Sequence, residues 1–126
     1  MIRGIHHTAL AVTDIPRASS FYEAVLGFEP VGPDDPTNTV ETAAYYWLEI
    51  GEGEWLNLAH RPDAVPESTG KLDDPHLAFR ATDERRARVE RRLRDRGVPF
   101  HESTTSTYFR DPDGNLLELT SWDGPD

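Results

Sequence analysis

The sequence predicts an α+β protein built from two βαβββ halves, and three observations carry that prediction. The first is an internal repeat, because "HTALAVTDIPRA" beginning at His7 and "HLAFRATDERRA" beginning at His76 share His7/His76, Ala9/Ala78, Thr13/Thr82, Asp14/Asp83, Arg17/Arg86 and Ala18/Ala87. The second is that each window runs from a short strand pattern into Thr-Asp, a helix-capping signal, and on to a glycine, Gly27 or Gly97, that can stop the helix. The third is a stretch rich in Pro, Asp, Gly and Ser, "RPDAVPESTGKLDDP", lying between the halves. The resulting organisation is a single domain with module one at about residues 1–61, a linker at 62–74 and module two at about 75–123.

In chain order, a strand starting at His7 leads into a helix whose first turn suits Pro16. Strands follow near Phe28 to Val31, Thr42 to Ile50 and Trp55 to His60, the last two joined by the turn "GEGE". The second half repeats the order: a strand from His76, the Arg-crowded helix "ERRARVERRLRDRG", then strands near Phe100 to Glu102, Ser106 to Arg110 and Leu116 to Ser121. In the second helix Ala87, Val89 and Leu93 form a thin apolar stripe, which assigns most of the arginines to the solvated side. "DPDGN" is too short for a calcium loop and reads as a turn.

Alternation along the strands then selects candidate site residues. His7, Ala9 and Ala11 share one face of the first strand, and the alanines leave room beside the histidine. His76 and Ala78 repeat this arrangement, with Arg80 on the same face as a candidate anion binder. In the final strand, "LLELT", a carboxylate among leucines costs several kcal/mol on burial unless it is paired. Glu118 therefore faces either solvent or a partner. Its counterpart in "WLNLA" of the first half is Asn57. If the halves pack about a local two-fold, His7, His76, Asn57 and Glu118 converge. Two imidazoles and one carboxylate are the facial-triad ligand set, which holds a divalent metal with coordination positions left open.

Composition limits the alternatives. The 126 residues are 37% apolar and carry a net charge of −10, which opposes nucleic acid and anionic membrane surfaces. The acidic excess is spread along the chain, as on a halophile-like surface. Cysteine is absent, so any metal must be held by His, Asp or Glu. No apolar run has the length of a membrane span and the first residues lack a signal-peptide core, so a cytoplasmic location is expected. There is no G-x-S-x-G elbow, phosphate loop or H-E-x-x-H.

The stretches "IHHTALAVTDIPRASSFYEAVLGFEPV", "HLAFRATD" and "YFRDPDGNLLELTSW" resemble the vicinal oxygen chelate superfamily, which includes glyoxalase I, bleomycin-resistance proteins, fosfomycin-resistance thiol transferases and extradiol dioxygenases. The resemblance covers nearly the whole chain. It implies paired βαβββ modules forming an eight-stranded, incompletely closed barrel, usually in a homodimer. It also implies metal ligands at His7, His76 and Glu118, with Fe2+ or Mn2+ first and Zn2+ or Ni2+ as further options. Tyr108 matches the substrate tyrosine of the dioxygenases, and a tyrosine also stands there in the fosfomycin family. Asn57 stands where glyoxalase I has a fourth, acidic ligand, and Ala9 where fosfomycin enzymes have a catalytic threonine. The second-shell histidine of the dioxygenases has only His60 and His101 as candidates. The implied function is a metal-dependent enzyme acting on a small substrate chelated through neighbouring oxygens, by ring-cleaving dioxygenation, thiol transfer or isomerisation in that order. Catalysis falls to Tyr108 and Glu118, and substrate binding to Asn57, Arg80 and Tyr108. The alternative is a metal-free protein that sequesters an aromatic or drug-like molecule.

Overall fold

The computed structural model describes residues 1–63 and 68–125, and the chain divides into two compact units, 1–66 and 67–126. Part of the expected linker, residues 64–67, lies outside the described residues.

Module one contains β1 (His7–Val12), α1 (Ile15–Phe21) with a π-helical extension over Tyr22–Leu26, β2 (Glu29–Pro33), β3 (Tyr45–Gly51) and β4 (Glu54–His60). Module two contains β5 (Leu77–Arg80), α2 (Asp83–Asp95), β6 (Phe100–Glu102), β7 (Ser106–Arg110) and β8 (Leu116–Thr120). Each module forms a four-stranded mixed sheet, with strand orders β1-β4-β3-β2 and β5-β8-β7-β6. The first strand of each pairs parallel to the last, and the remaining pairs are antiparallel. The repeat read in the sequence is thus a repeat of topology.

Local chemistry accounts for the element ends. Gly27 and Gly97 stop the helices at φ 75° and 68°, a left-handed conformation that costs other residues about 1–2 kcal/mol. Pro30 and Pro33 lie in β2, an edge strand, where a missing N–H leaves no central ladder bond unmade. The β7–β8 turn is held by Asp111, whose Oδ1 accepts from the backbone N–H of Asp113 and of Asn115, both at 2.9 Å. The turn reading of "DPDGN" is the one observed.

The two helices differ in phase by one residue. Asp14 caps α1 by accepting from Arg17 N, whereas Thr82 caps α2 by accepting from Arg85 N. The aligned Thr-Asp pairs therefore supply different caps, and the repeat slips at the helix entrance. The slip turns Arg86 inward while its sequence counterpart Arg17 remains exposed. The expected stripe of Ala87, Val89 and Leu93 is accordingly replaced by Arg86, Val89, Glu90 and Leu93, and Ala87 is exposed.

Burial of that arginine is compensated group by group. Arg86 Nε donates to Thr107 Oγ1, Nη1 to Asp83 Oδ1 and Thr104 O, and Nη2 to Ser103 O, at 2.9–3.2 Å. Thr107 in turn donates to Glu90. Module one instead fills its helix side with Val12, Tyr22, Val25, Leu48, Leu56 and Leu58, all fully buried. Each such side chain contributes about 1.5–3 kcal/mol on burial.

Candidate metal and substrate site

On each sheet the face turned away from the packed apolar side carries the sequence-selected residues. In module one the register sets Ala9, Asn57 and Trp47 side by side across β1, β4 and β3, with His7 one step along beside Trp55. In module two the corresponding row is Ala78, Glu118, Tyr108 and His101, across β5, β8, β7 and β6. Asn57 and Glu118 therefore occupy equivalent places, as do Trp47 and Tyr108. Each histidine meets the aromatic of its own module edge to face, His7 with Trp47 at 5.1 Å and His76 with Tyr108 at 6.0 Å between ring centroids.

Glu118 is buried, and the answer to its placement is a dense set of partners. Its Oε1 lies 2.9 Å from His76 Nε2, and its Oε2 accepts from Ser106 Oγ at 2.6 Å. Ser106 Oγ also lies 3.0 Å from Thr120 Oγ1, within hydrogen-bond distance of it. The other nitrogen of His76, Nδ1, lies 2.8 Å from the backbone carbonyl of Asp74. A carbonyl only accepts, so Nδ1 carries a proton. The single N–H of a neutral ring is then used, and the contact with Glu118 requires a second proton or a cation in its place. This is the tautomer a metal-ligating imidazole adopts when its outer nitrogen is fixed by a carbonyl.

Asp74 is itself held in place. Hydrogen bonds from the Thr69 side chain, and then from Arg110 at 2.8 Å, keep its carboxyl well below the usual carboxylate range. The segment 68–74, expected as linker, is therefore bonded into module two along its described length.

In module one, His7 Nδ1 lies 2.9 Å from His6 Nδ1, a separation that places one proton between the two rings. His7 Nε2 is the nitrogen left for a ligand. Asn57 is buried, and its Nδ2 is without a hydrogen-bond partner. A buried amide donor of that kind costs about 1–3 kcal/mol until an acceptor arrives. Arg80 lies on the Glu118 face, in register with Thr120, and is exposed.

Sequence reasoning thus selected His76, Glu118 and Tyr108, which meet within module two, and His7 and Asn57, which share a face of module one. It missed Ser106 and the carbonyl of Asp74. Ser106 was accessible by counting register, because the Arg110–Leu116 pairing at the hairpin sets Ser106 opposite Thr120. The Asp74 contact depends on a loop conformation and had no such signal. Among the described residues, no group of three or more His, Asp or Glu side chains is positioned to share one metal ion. The donor chemistry of the His76–Glu118 pair nevertheless fits a divalent metal, with a fixed tautomer on one ligand and a serine bond orienting the other.

Two βαβββ modules, each with a four-stranded mixed sheet, are the architecture that the resemblance to the vicinal oxygen chelate proteins implies. Residues 4–119 match the Glyoxalase/Bleomycin resistance protein/Dioxygenase superfamily, and the chain belongs to it. The metallothiol transferase FosB of Shouchella clausii is 32% identical over 127 residues, covering 94% of this chain and 80% of that protein. Among solved structures, a glyoxalase/dioxygenase from Nostoc punctiforme is similar with a TM-score of 0.76 and 25% identity, over 93% of this chain and 89% of that one. A mutant of the fosfomycin resistance protein FosX from Listeria monocytogenes, complexed with Mn(II) and dihydroxypropylphosphonic acid, is similar with a TM-score of 0.75 and 25% identity, over 96% and 93% of the chains. Membership supports an enzymatic role of the general kind found in this superfamily. No helix among the described residues is long and apolar enough to cross a membrane.

Proposed function

We propose that the chain is a metal-dependent enzyme acting on a small substrate that presents two neighbouring oxygens, with His7, His76 and Glu118 as ligands of one Fe2+ or Mn2+ ion. Zn2+ and Ni2+ suit the same donors. The observation that carries this reading is His76, whose two ring nitrogens both face acceptors, Asp74 O and Glu118 Oε1. When bound, the metal supplies Lewis-acid stabilisation of negative charge developing on the substrate oxygens.

The protein groups supply position and protons. Ser106 and Asp74 O orient Glu118 and His76, which fixes the direction in which each offers its lone pair. Tyr108, beside His76, hydrogen-bonds a substrate oxygen through its phenol or moves a proton at Oη. Asn57 donates its unpartnered Nδ2 proton to substrate or to a held water. Arg80 pairs with an anionic substituent. Ring-cleaving dioxygenation, thiol transfer and isomerisation remain the candidate reactions, in that order, and the working unit is a homodimer, checked by sedimentation.

The test is turnover by metal-reconstituted protein offered a catechol with oxygen, an epoxide with a thiol, and a hemithioacetal. One of the three is expected to react, with the reaction abolished in His76→Ala and reduced in Tyr108→Phe without loss of metal. Binding of aromatic compounds with no metal dependence and no turnover would contradict the proposal and leave sequestration as the function.

A further inference from the structure

Module two holds a cavity of about 340 Å³ whose lining includes Tyr108, the ring neighbour of His76. Leu72, Val98, Phe100 and Leu116 line it together with Tyr108, His101 and Arg110. The volume lies in the range of small-molecule sites, and roughly 150 Å³ is enough to take up benzene. Tyr108 links the cavity to the proposed metal site, because its ring stands 6.0 Å from that of His76 on one side and 6.5 Å from that of His101 on the other. Glu118, Tyr108 and His101 also follow one another in register across β8, β7 and β6. A molecule held by its oxygens at Glu118 can therefore extend a substituent along this row, past Tyr108 to the cavity.

We propose that this cavity seats an apolar arm of the substrate, so that the substrate class is a small molecule with a two-oxygen head and an aryl or comparable hydrocarbon arm. The inference deepens the metal-site reading and rests on it for the position of the head. It separates this chain's substrate from a compact phosphonate such as dihydroxypropylphosphonic acid, whose propyl chain would leave the cavity vacant. Burial of an aryl arm predicts at least about a tenfold gain in affinity over a methyl group in the same position.

The experiment compares acetohydroxamic acid with 2-naphthohydroxamic acid, which share a head of two adjacent oxygens, by calorimetric titration of the Mn2+-loaded protein. The naphthyl compound is expected to bind at least tenfold more tightly in the wild type. Leu72→Asp, at an exposed wall position where the fold tolerates a charge, and Val98→Trp, which fills the cavity from a second wall, are each expected to abolish that gain while leaving acetohydroxamate affinity within about twofold. Equal affinities in the wild type, or a gain that survives both substitutions, would overturn the proposal. Failure of the metal reading shows separately, as absence of Mn2+ uptake. The cavity is then read on metal-free protein with 2-naphthol, where saturable binding lost in Leu72→Asp sustains it and absence of binding overturns it.

Discussion

The two modules share strand order, register and the position of a leading histidine, yet they differ in chemistry on both sides of the sheet. Module one packs its helix on an apolar core and shows Asn57 and Trp47 on the other face. Module two packs its helix through Arg86, Glu90 and Thr107 and shows Glu118 and Tyr108. Duplication preserves the backbone because topology and turns are set by many weak signals at once. Single side chains diverge because each is answerable only to its immediate partners. At the equivalent register positions, module two has a carboxylate, Glu118, where module one has the Asn57 amide, and the bonds that hold the carboxylate, from Ser106 and to His76, lie in module two as well.

The largest effect expected from breaking this comparison is at the helix faces. Arg86→Ala leaves Thr107 Oγ1 and the carbonyls of Ser103 and Thr104 without their donor, and because each orphaned group costs about 1–3 kcal/mol, a loss of about 3–5 kcal/mol in denaturant unfolding is expected. Arg17→Ala, at the matching sequence position but exposed, should cost about 0.5 kcal/mol or less. Equal costs would mean that the one-residue slip between the helices has no energetic content.

Next comes the orientation of Glu118. Ser106→Ala removes the 2.6 Å bond to Oε2 and should weaken metal binding about 10–100-fold, read by competition with a metal indicator. Asn57→Asp sharpens the comparison from the other module by giving it an acid of its own. A buried carboxylate there should lower stability by about 1–3 kcal/mol in metal-free protein. Added Mn2+ should recover part of the lost melting temperature.

The smallest effect is that of acid on Asp74. Because its carboxyl is held below the ordinary range by Thr69 and Arg110, the stability it contributes is present above about pH 4 and is lost as pH falls through the lowered value. Protection of the 68–74 backbone against hydrogen exchange should fall across that interval, and Asp74→Asn should remove the dependence.

How much was legible in advance follows the same division. Strand positions were readable because Gly, Pro and alternation mark them redundantly, and β6 and β7 fall where "FHE" and "STYFR" place them. Glu118 was readable because a carboxylate inside "LLELT" conflicts with burial and so demands a partner. Arg86 was not, since a cap that shifts from Asp14 to Thr82 rotates the whole helix without disturbing the aligned letters. The Asp74 carbonyl was equally hidden, because main-chain acceptors leave no trace in side-chain identity.

The central claim is the proposal that Glu118 is a ligand of the metal, with His7 and His76, and that Asn57, its counterpart in module one, is not. The most direct test is metal content per chain after anaerobic reconstitution with Fe2+ and with Mn2+, in wild type, Glu118→Ala and Asn57→Ala. The account predicts close to one ion in wild type and in Asn57→Ala, and none in Glu118→Ala. No stoichiometric metal in the wild type, or an ion retained in Glu118→Ala, would contradict it.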